Sequence, residues 1–150
     1  MNGSSFRFRL ERVRELRERR EDLAKQELAI SLADHFRAET AHRAAEERIA
    51  NARAAQLDAA MSTNNVTDLL AHQAYLERTE SAKRATGHDL ECRELELADR
   101  RDALQRAARD RQALERLKDR RRAEYVAEAL RLESLDLDEI AINNYRRGAA

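Results

Sequence analysis

The sequence predicts an all-α protein, a long antiparallel two-helix coiled-coil hairpin with both chain termini at one end. Three observations carry that reading. The 150 residues contain no Pro, and of three Gly only Gly87 lies away from the chain ends. Charged residues make up 39% of the chain and aromatics 4%, so a thick core is out of reach. Much of the 42% counted as hydrophobic is Ala, which removes little area from water at about 25 cal/mol per Å². Large apolar residues also recur at intervals of seven, as Phe6/Val13, Leu16/Leu23/Ile30 and Leu90/Leu97/Leu104. That period marks a seam between helices that supercoil around each other. Composition rich in Ala, Glu, Arg and Leu is that of long helices. Its helix propensity separates it from disordered chains of similar charge.

The whole chain, 1–150, reads as one elongated domain, a thin rod. The first helix runs from about residue 5 to about 60. Its seam is diluted by Arg20 and Glu27, and between Ala38 and Ala60 it is mostly alanine, which permits close approach but little burial. AAMSTNNVTDLL, residues 59–70, gathers Ser, Thr and Asn, residues of turns and caps. It places a tight turn at about 61–66, with Asn65 or Thr67 capping a second helix and Asp68 in its first turn. That helix runs from about 67 to about 133 and continues into an apolar C-terminal tip. Gly87 inside it costs about 1 kcal/mol relative to Ala and marks either a bend or the end of a helix, with Asp89 capping a third. Acid-first pairs one turn apart, Glu15/Arg19, Glu21/Lys25, Glu96/Arg100 and Asp102/Arg106, support the helices by roughly 0.2–0.5 kcal/mol each.

The arms are unequal. With the turn centred near Asn64, residue n of the first arm faces roughly residue 128 − n, and the second helix overhangs by about 30 Å. The overhang carries the densest run of large aliphatics in the chain: Leu130, Leu132, Leu135, Leu137, Ile140, Ile142 and Tyr145. It either folds back against Phe6, Phe8 and Leu10 or serves a partner, as exposed apolar patches do.

Several function classes are disfavoured. Lys+Arg 29 balances Asp+Glu 29, so no net field draws the chain to nucleic acid or anionic lipid. Arg116, Arg120, Arg121 and Arg122 cluster, but Glu115, Asp119 and Glu124 interleave with them. The start, MNGSSFRFRLERV, has no apolar stretch of signal-peptide length, and no stretch has the roughly 20 apolar residues of a membrane span. A lone Cys92 cannot form an internal disulfide, which fits a reducing cytoplasm; a partly buried place on the helix is expected for it. No phosphate-cradling Gly-Lys loop is present. Glu39 and His42 have the Glu-x-x-His spacing of di-iron bundles, but no second copy exists. With His35 and Glu46 they are expected on a polar helix face. His72 and His88 have no catalytic constellation around them. No cofactor, no metal and no catalytic residue is expected.

The opening FRFRLERVRELRERREDLAKQELA (6–29), the central DLLAHQAYLE (68–77) and the closing LDEIAINNYRR (137–147) resemble the flagellar FliJ family over nearly the whole length. The resemblance implies a non-enzymatic antiparallel coiled-coil stalk, similar to the gamma subunit of rotary ATP synthases. Its terminal end would insert into the hexameric export ATPase FliI of the flagellar type III apparatus and promote ring assembly and activity. It would also contact the export gate protein FlhA and handle flagellar export chaperones, in the cytoplasm and at the membrane only through those partners. Carried over, the ATPase-ring contact falls on Phe6, Arg7, Leu10, Val13 and Leu16, and on Leu137, Ile140, Ile142, Tyr145 and Arg146. The export-gate contact falls on Leu70, Tyr75 and Leu76, although the facing stretch offers only small residues such as Ala41, Ala45 and Ala52. A generic coiled-coil scaffold or homodimeric tether is the alternative, followed by a nucleic-acid-binding helical arm.

Overall fold

A computed structural model describes residues 6–62 and 65–148. It contains two helices, α1 (Glu11–Ser62) and α2 (Val66–Gly148), packed against each other antiparallel. The expected two-helix coiled-coil hairpin is the observed fold. The expected turn centre, Asn64, and the expected first helical residue, Ser5, lie outside the described residues.

Local chemistry explains the helix ends. The side-chain oxygen of Asn65 accepts a hydrogen bond from the Thr67 backbone N–H at 3.0 Å, so Asn65 is the residue that caps α2, with Asp68 in the first turn where the helix dipole favours an acid. At the other end of α2, Arg146 and Arg147 occupy the last turn, the favourable place for cations. The start of α1 lies later than expected. Phe6 to Phe8 are not helical and Arg9–Leu10 form a turn, with Glu11 N–H donating to the Phe8 carbonyl at 3.2 Å. The Phe6 ring sits 5.7 Å from the Tyr125 ring, tilted by 49°, a contact that holds the segment against α2. No break occurs at Gly87. The helix runs through it, and a third helix does not form. Its missing side chain serves packing, since a Cβ there would lie 3.3 Å from Cε1 of His42.

Two compact units can be distinguished, residues 1–21 with 106–150, and residues 22–105. In the second unit the seam on α1 is Ala24, Ser31, Ala38, Ala45, Ala52 and Ala59, an unbroken seven-residue repeat of small side chains. Alternating with them are Leu28, His35, His42, Ile49 and Gln56, all buried or half-buried. From α2 the matching positions are Leu69, Leu76, Lys83, Leu90, Leu97 and Leu104, so large side chains on one arm meet small ones on the other. This corrects the expected seam on α1. Leu16, Leu23 and Ile30 are 48%, 57% and 63% exposed, because a one-residue step turns a side chain about 100° around the helix.

Polar pairs flank the seam and fix its register. In the second unit Arg53 donates to Glu80 at 3.0 Å, Gln56 to Gln73 at 2.8 Å and Arg100 to Glu27 at 2.8 Å. In the first unit Arg17 donates to Asp110 at 2.7 Å and Arg111 to the buried Glu21 at 2.5 Å. Arg100 is therefore turned across the seam rather than toward Glu96, which takes Arg93 instead.

Candidate functional site

The first unit holds both halves of the sequence-predicted ring contact. Its N-terminal half lies against α2 well before the C-terminus. Phe6, Arg7 and Leu10 share a groove with Leu117, Tyr125 and Glu128, and Lys118 bonds Glu11 at 3.0 Å. That bond and one from Arg14 hold the Glu11 carboxyl below the ordinary carboxylate range, because both favour its charged form. Val13 and Leu16 lie on α1 and are exposed.

The C-terminal half stands apart from these residues. Every residue from Arg121 to Gly148 is exposed while remaining helical. The tip does not fold back onto Phe6, Phe8 and Leu10, and beyond Glu128 it extends for about 30 Å at helical rise. Leu137 is 61% exposed, Ile140 56%, Ile142 52% and Tyr145 79%; Arg146 is exposed in the last turn. Leu130, Leu132 and Leu135 join them. Such a run of large aliphatics in water is uncommon unless a partner covers it. The tip also pairs its own charges. Arg131 donates twice to Glu128, at 2.9 and 2.7 Å, which lowers the Glu128 pKa and raises that of Arg131.

The expected gate-contact residues sit in the second unit near the start of α2, and they are not gathered on one face. Leu76 is half-buried in the seam, whereas Leu70 and Tyr75 are exposed. Tyr75 lines a shallow groove with Ala45, Arg48 and Arg78; Leu70 points about 140° away from it around the helix.

Other chemistry-bearing residues have structural places. His35 and His42 are seam residues rather than members of an outer polar face. Thr86 Oγ1 donates to the Lys83 carbonyl and lies 3.2 Å from His42 Nδ1, so that nitrogen is the donor between them. Lys83 bonds Glu46 at 3.0 Å and thereby lowers the Glu46 pKa. Glu39 takes Arg43 at 3.1 Å. Cys92 is exposed, contrary to the partial burial expected, with Sγ 3.9 Å from His88 Nε2. Among the described residues no three His, Cys, Asp or Glu are placed to hold a metal ion. No described helix is long and apolar enough to cross a membrane.

An end-exposed aliphatic helix on a small-residue hairpin, combined with patterned segments at both ends of the chain, is what the compared families must account for. The family described as Flagellar FliJ protein matches residues 6–150. The chain belongs to the flagellar FliJ family. The match spans both halves of the predicted ring contact and the gate segment between them, so all three lie within the FliJ pattern. No curated protein and no solved structure matches it. Membership assigns the chain to flagellar protein export as a structural stalk protein associated with the export apparatus.

Proposed function

We propose that this chain is a non-enzymatic stalk whose terminal end seats in the hexameric export ATPase FliI, promoting its assembly and activity. The observation that carries the reading is the tip of α2, helical without any cover from its own chain while presenting Leu137, Ile140, Ile142 and Tyr145 to solvent. At about 25 cal/mol per Å², covering these side chains supplies a driving force for docking that the hairpin seam does not consume. Phe6, Arg7, Leu10, Val13 and Leu16 form the lower part of the same contact, next to the α2 residues they pack on. A second contact, to the export gate protein FlhA, uses Tyr75 and Leu70, with Leu76 holding the hairpin beneath them. Empty export chaperones are further partners. The stalk works as one unit in the cytoplasm, at the membrane face only through these proteins.

The test is ATPase stimulation by Leu137→Asp and Ile140→Asp. Each variant is expected to keep its circular dichroism and to lose stimulation of the export ATPase from the same genome. Stimulation at the parent level in both variants refutes the seating of the tip.

A further inference from the structure

The apolar residues of the tip are not on one face. At about 100° per residue, Val126, Leu130, Leu137 and Ile140 form one stripe. Tyr125, Leu132, Leu135 and Ile142 form another, centred roughly 160° away around the helix. All eight are exposed.

The two stripes have different origins. In the first unit Leu114 and Lys118 are half-buried where α2 faces α1. Steps of seven from Lys118 reach Tyr125 and then Leu132; steps of seven from Leu114 reach Leu135 and Ile142. This stripe continues the hairpin seam past the point where Phe6 lies against Tyr125. It is a seam face whose opposing helix has run out. The other stripe has no counterpart in the seam. It begins in a shallow groove lined by Ala123, Val126, Ala127 and Leu130, with Asp119 and Arg122 at its edge, on the side turned away from α1.

We propose that the tip is enclosed by its partner from two opposite sides, with a separate apolar element on each stripe. The proposal rests on the seating of the tip described above and specifies the partner's surface. A helix docked in a single groove needs one apolar face little more than about 100° wide, and a helix apolar on both sides is one that is surrounded. Between the stripes the tip carries Glu133, Asp136, Asp138 and Glu139 without a base among them, and Arg146 and Arg147 follow at its end. The enclosing partner therefore brings cationic side chains to the level of 133–139, where like charges would repel. A second copy of this chain is a poor occupant, because antiparallel pairing about the tip's midpoint would set those acids against themselves.

Two triple variants separate the stripes: Leu130→Gln/Leu137→Gln/Ile140→Gln and Leu132→Gln/Leu135→Gln/Ile142→Gln. Glutamine keeps helix propensity while removing the apolar contact, and circular dichroism verifies that each tip stays helical. Affinity of the full-length chain for the purified export ATPase is the readout, with ATPase stimulation alongside. Both variants are expected to bind at least tenfold more weakly. Asp136→Asn/Asp138→Asn/Glu139→Gln is expected to flatten the salt dependence of binding. Loss in only one triple variant means a one-sided groove; it overturns the two-sided enclosure and leaves the seating of the tip standing. Parent-level binding by both overturns the enclosure and the seating together. Concentration-dependent dimerisation of the parent, abolished by the second triple variant, assigns the seam-continuing stripe to a second copy and overturns the proposal.

Discussion

The seam of the second unit and the C-terminal tip of α2 distribute apolar residues in opposite ways. The seam has a seven-residue repeat of Ala and Ser on α1 and gains its fit from close approach to Leu69, Leu76, Leu90, Leu97 and Leu104. The tip concentrates Leu, Ile and Tyr and leaves all of them in water. Stability and recognition are thus assigned to different residues. The seam holds the hairpin with modest side chains, polar cross-pairs and a helix whose propensity is already high. The tip keeps its larger apolar groups uncommitted.

The largest effect that tests this division is on stability. Leu97, 5% exposed, is among the few large side chains wholly inside the seam, and Leu97→Ala is expected to cost about 2 kcal/mol, the low end for a buried leucine because its neighbours are small. Leu132→Ala and Tyr145→Ala, both on the exposed tip, should stay within about 0.5 kcal/mol of the parent. Urea unfolding followed by circular dichroism measures all three. A tip variant as destabilised as Leu97→Ala would erase the distinction between the regions.

The same contrast governs what could be read in advance. The hairpin, its turn and its pairing register were legible because they depend on helix-breaking residues and on counting from the turn; Glu11 with Lys118 and His42 with Thr86 meet close to the expected positions. The seam face of α1 was not legible from its large residues. Leu16, Leu23 and Ile30 repeat every seven positions, yet the buried set is the alanine and serine repeat beside them. A reading that weights size favours leucine, whereas two closely packed helices select for small side chains on one partner. The tip was visible as an overhang, but its two stripes were not, since opposite faces become apparent only once the helix is known to run unbroken to Gly148.

Gly87 sharpens the seam side of the comparison. The His42 ring occupies the space above it, so Gly87→Leu should cost about 1–3 kcal/mol through overpacking. His42→Ala should recover much of that loss, a coupling visible in a double-mutant cycle. Gly87→Ala sets a slightly tight contact with a side-chain ring against about 1 kcal/mol of gained helix propensity, and its net effect should be small. If Gly87→Leu unfolds at the parent's denaturant concentration, the notch does not help define the seam.

Tyr75 tests whether recognition also occurs beside the seam. It is exposed over the small residues near Ala45, so Tyr75→Ala should weaken binding to the export gate protein several-fold, with thermal unfolding and ATPase stimulation nearly unchanged. An aromatic of this kind is a common interface anchor. A lowered melting temperature with gate binding preserved would place Tyr75 with the seam instead.

The smallest expected effect is on pH dependence, and it again separates the regions. Glu11 is held below its ordinary pKa chiefly by the hydrogen bond from Lys118 and then by Arg14, and Glu46 chiefly by Lys83. Lys118 and Lys83 reach their glutamates from the opposite helix. A carboxylate whose folded pKa lies below the unfolded value near 4.3 contributes stability above that value and loses it as pH falls through the folded one. The melting temperature should therefore change little through these groups between about pH 7 and 5 and decline below about 4.3. Lys118→Met and Lys83→Met should each reduce the decline, and by little, because exposed ion pairs are weak. Glu128 is also held low, but by Arg131 one turn along the same helix. Its protonation removes a contact internal to the tip and no contact between helices. Acid should therefore weaken hairpin pairing through Glu11 and Glu46, and Arg131→Met should leave the acid dependence of the melting temperature unchanged. If Arg131→Met flattens that dependence as much as the lysine variants do, the tip shares in holding the hairpin together.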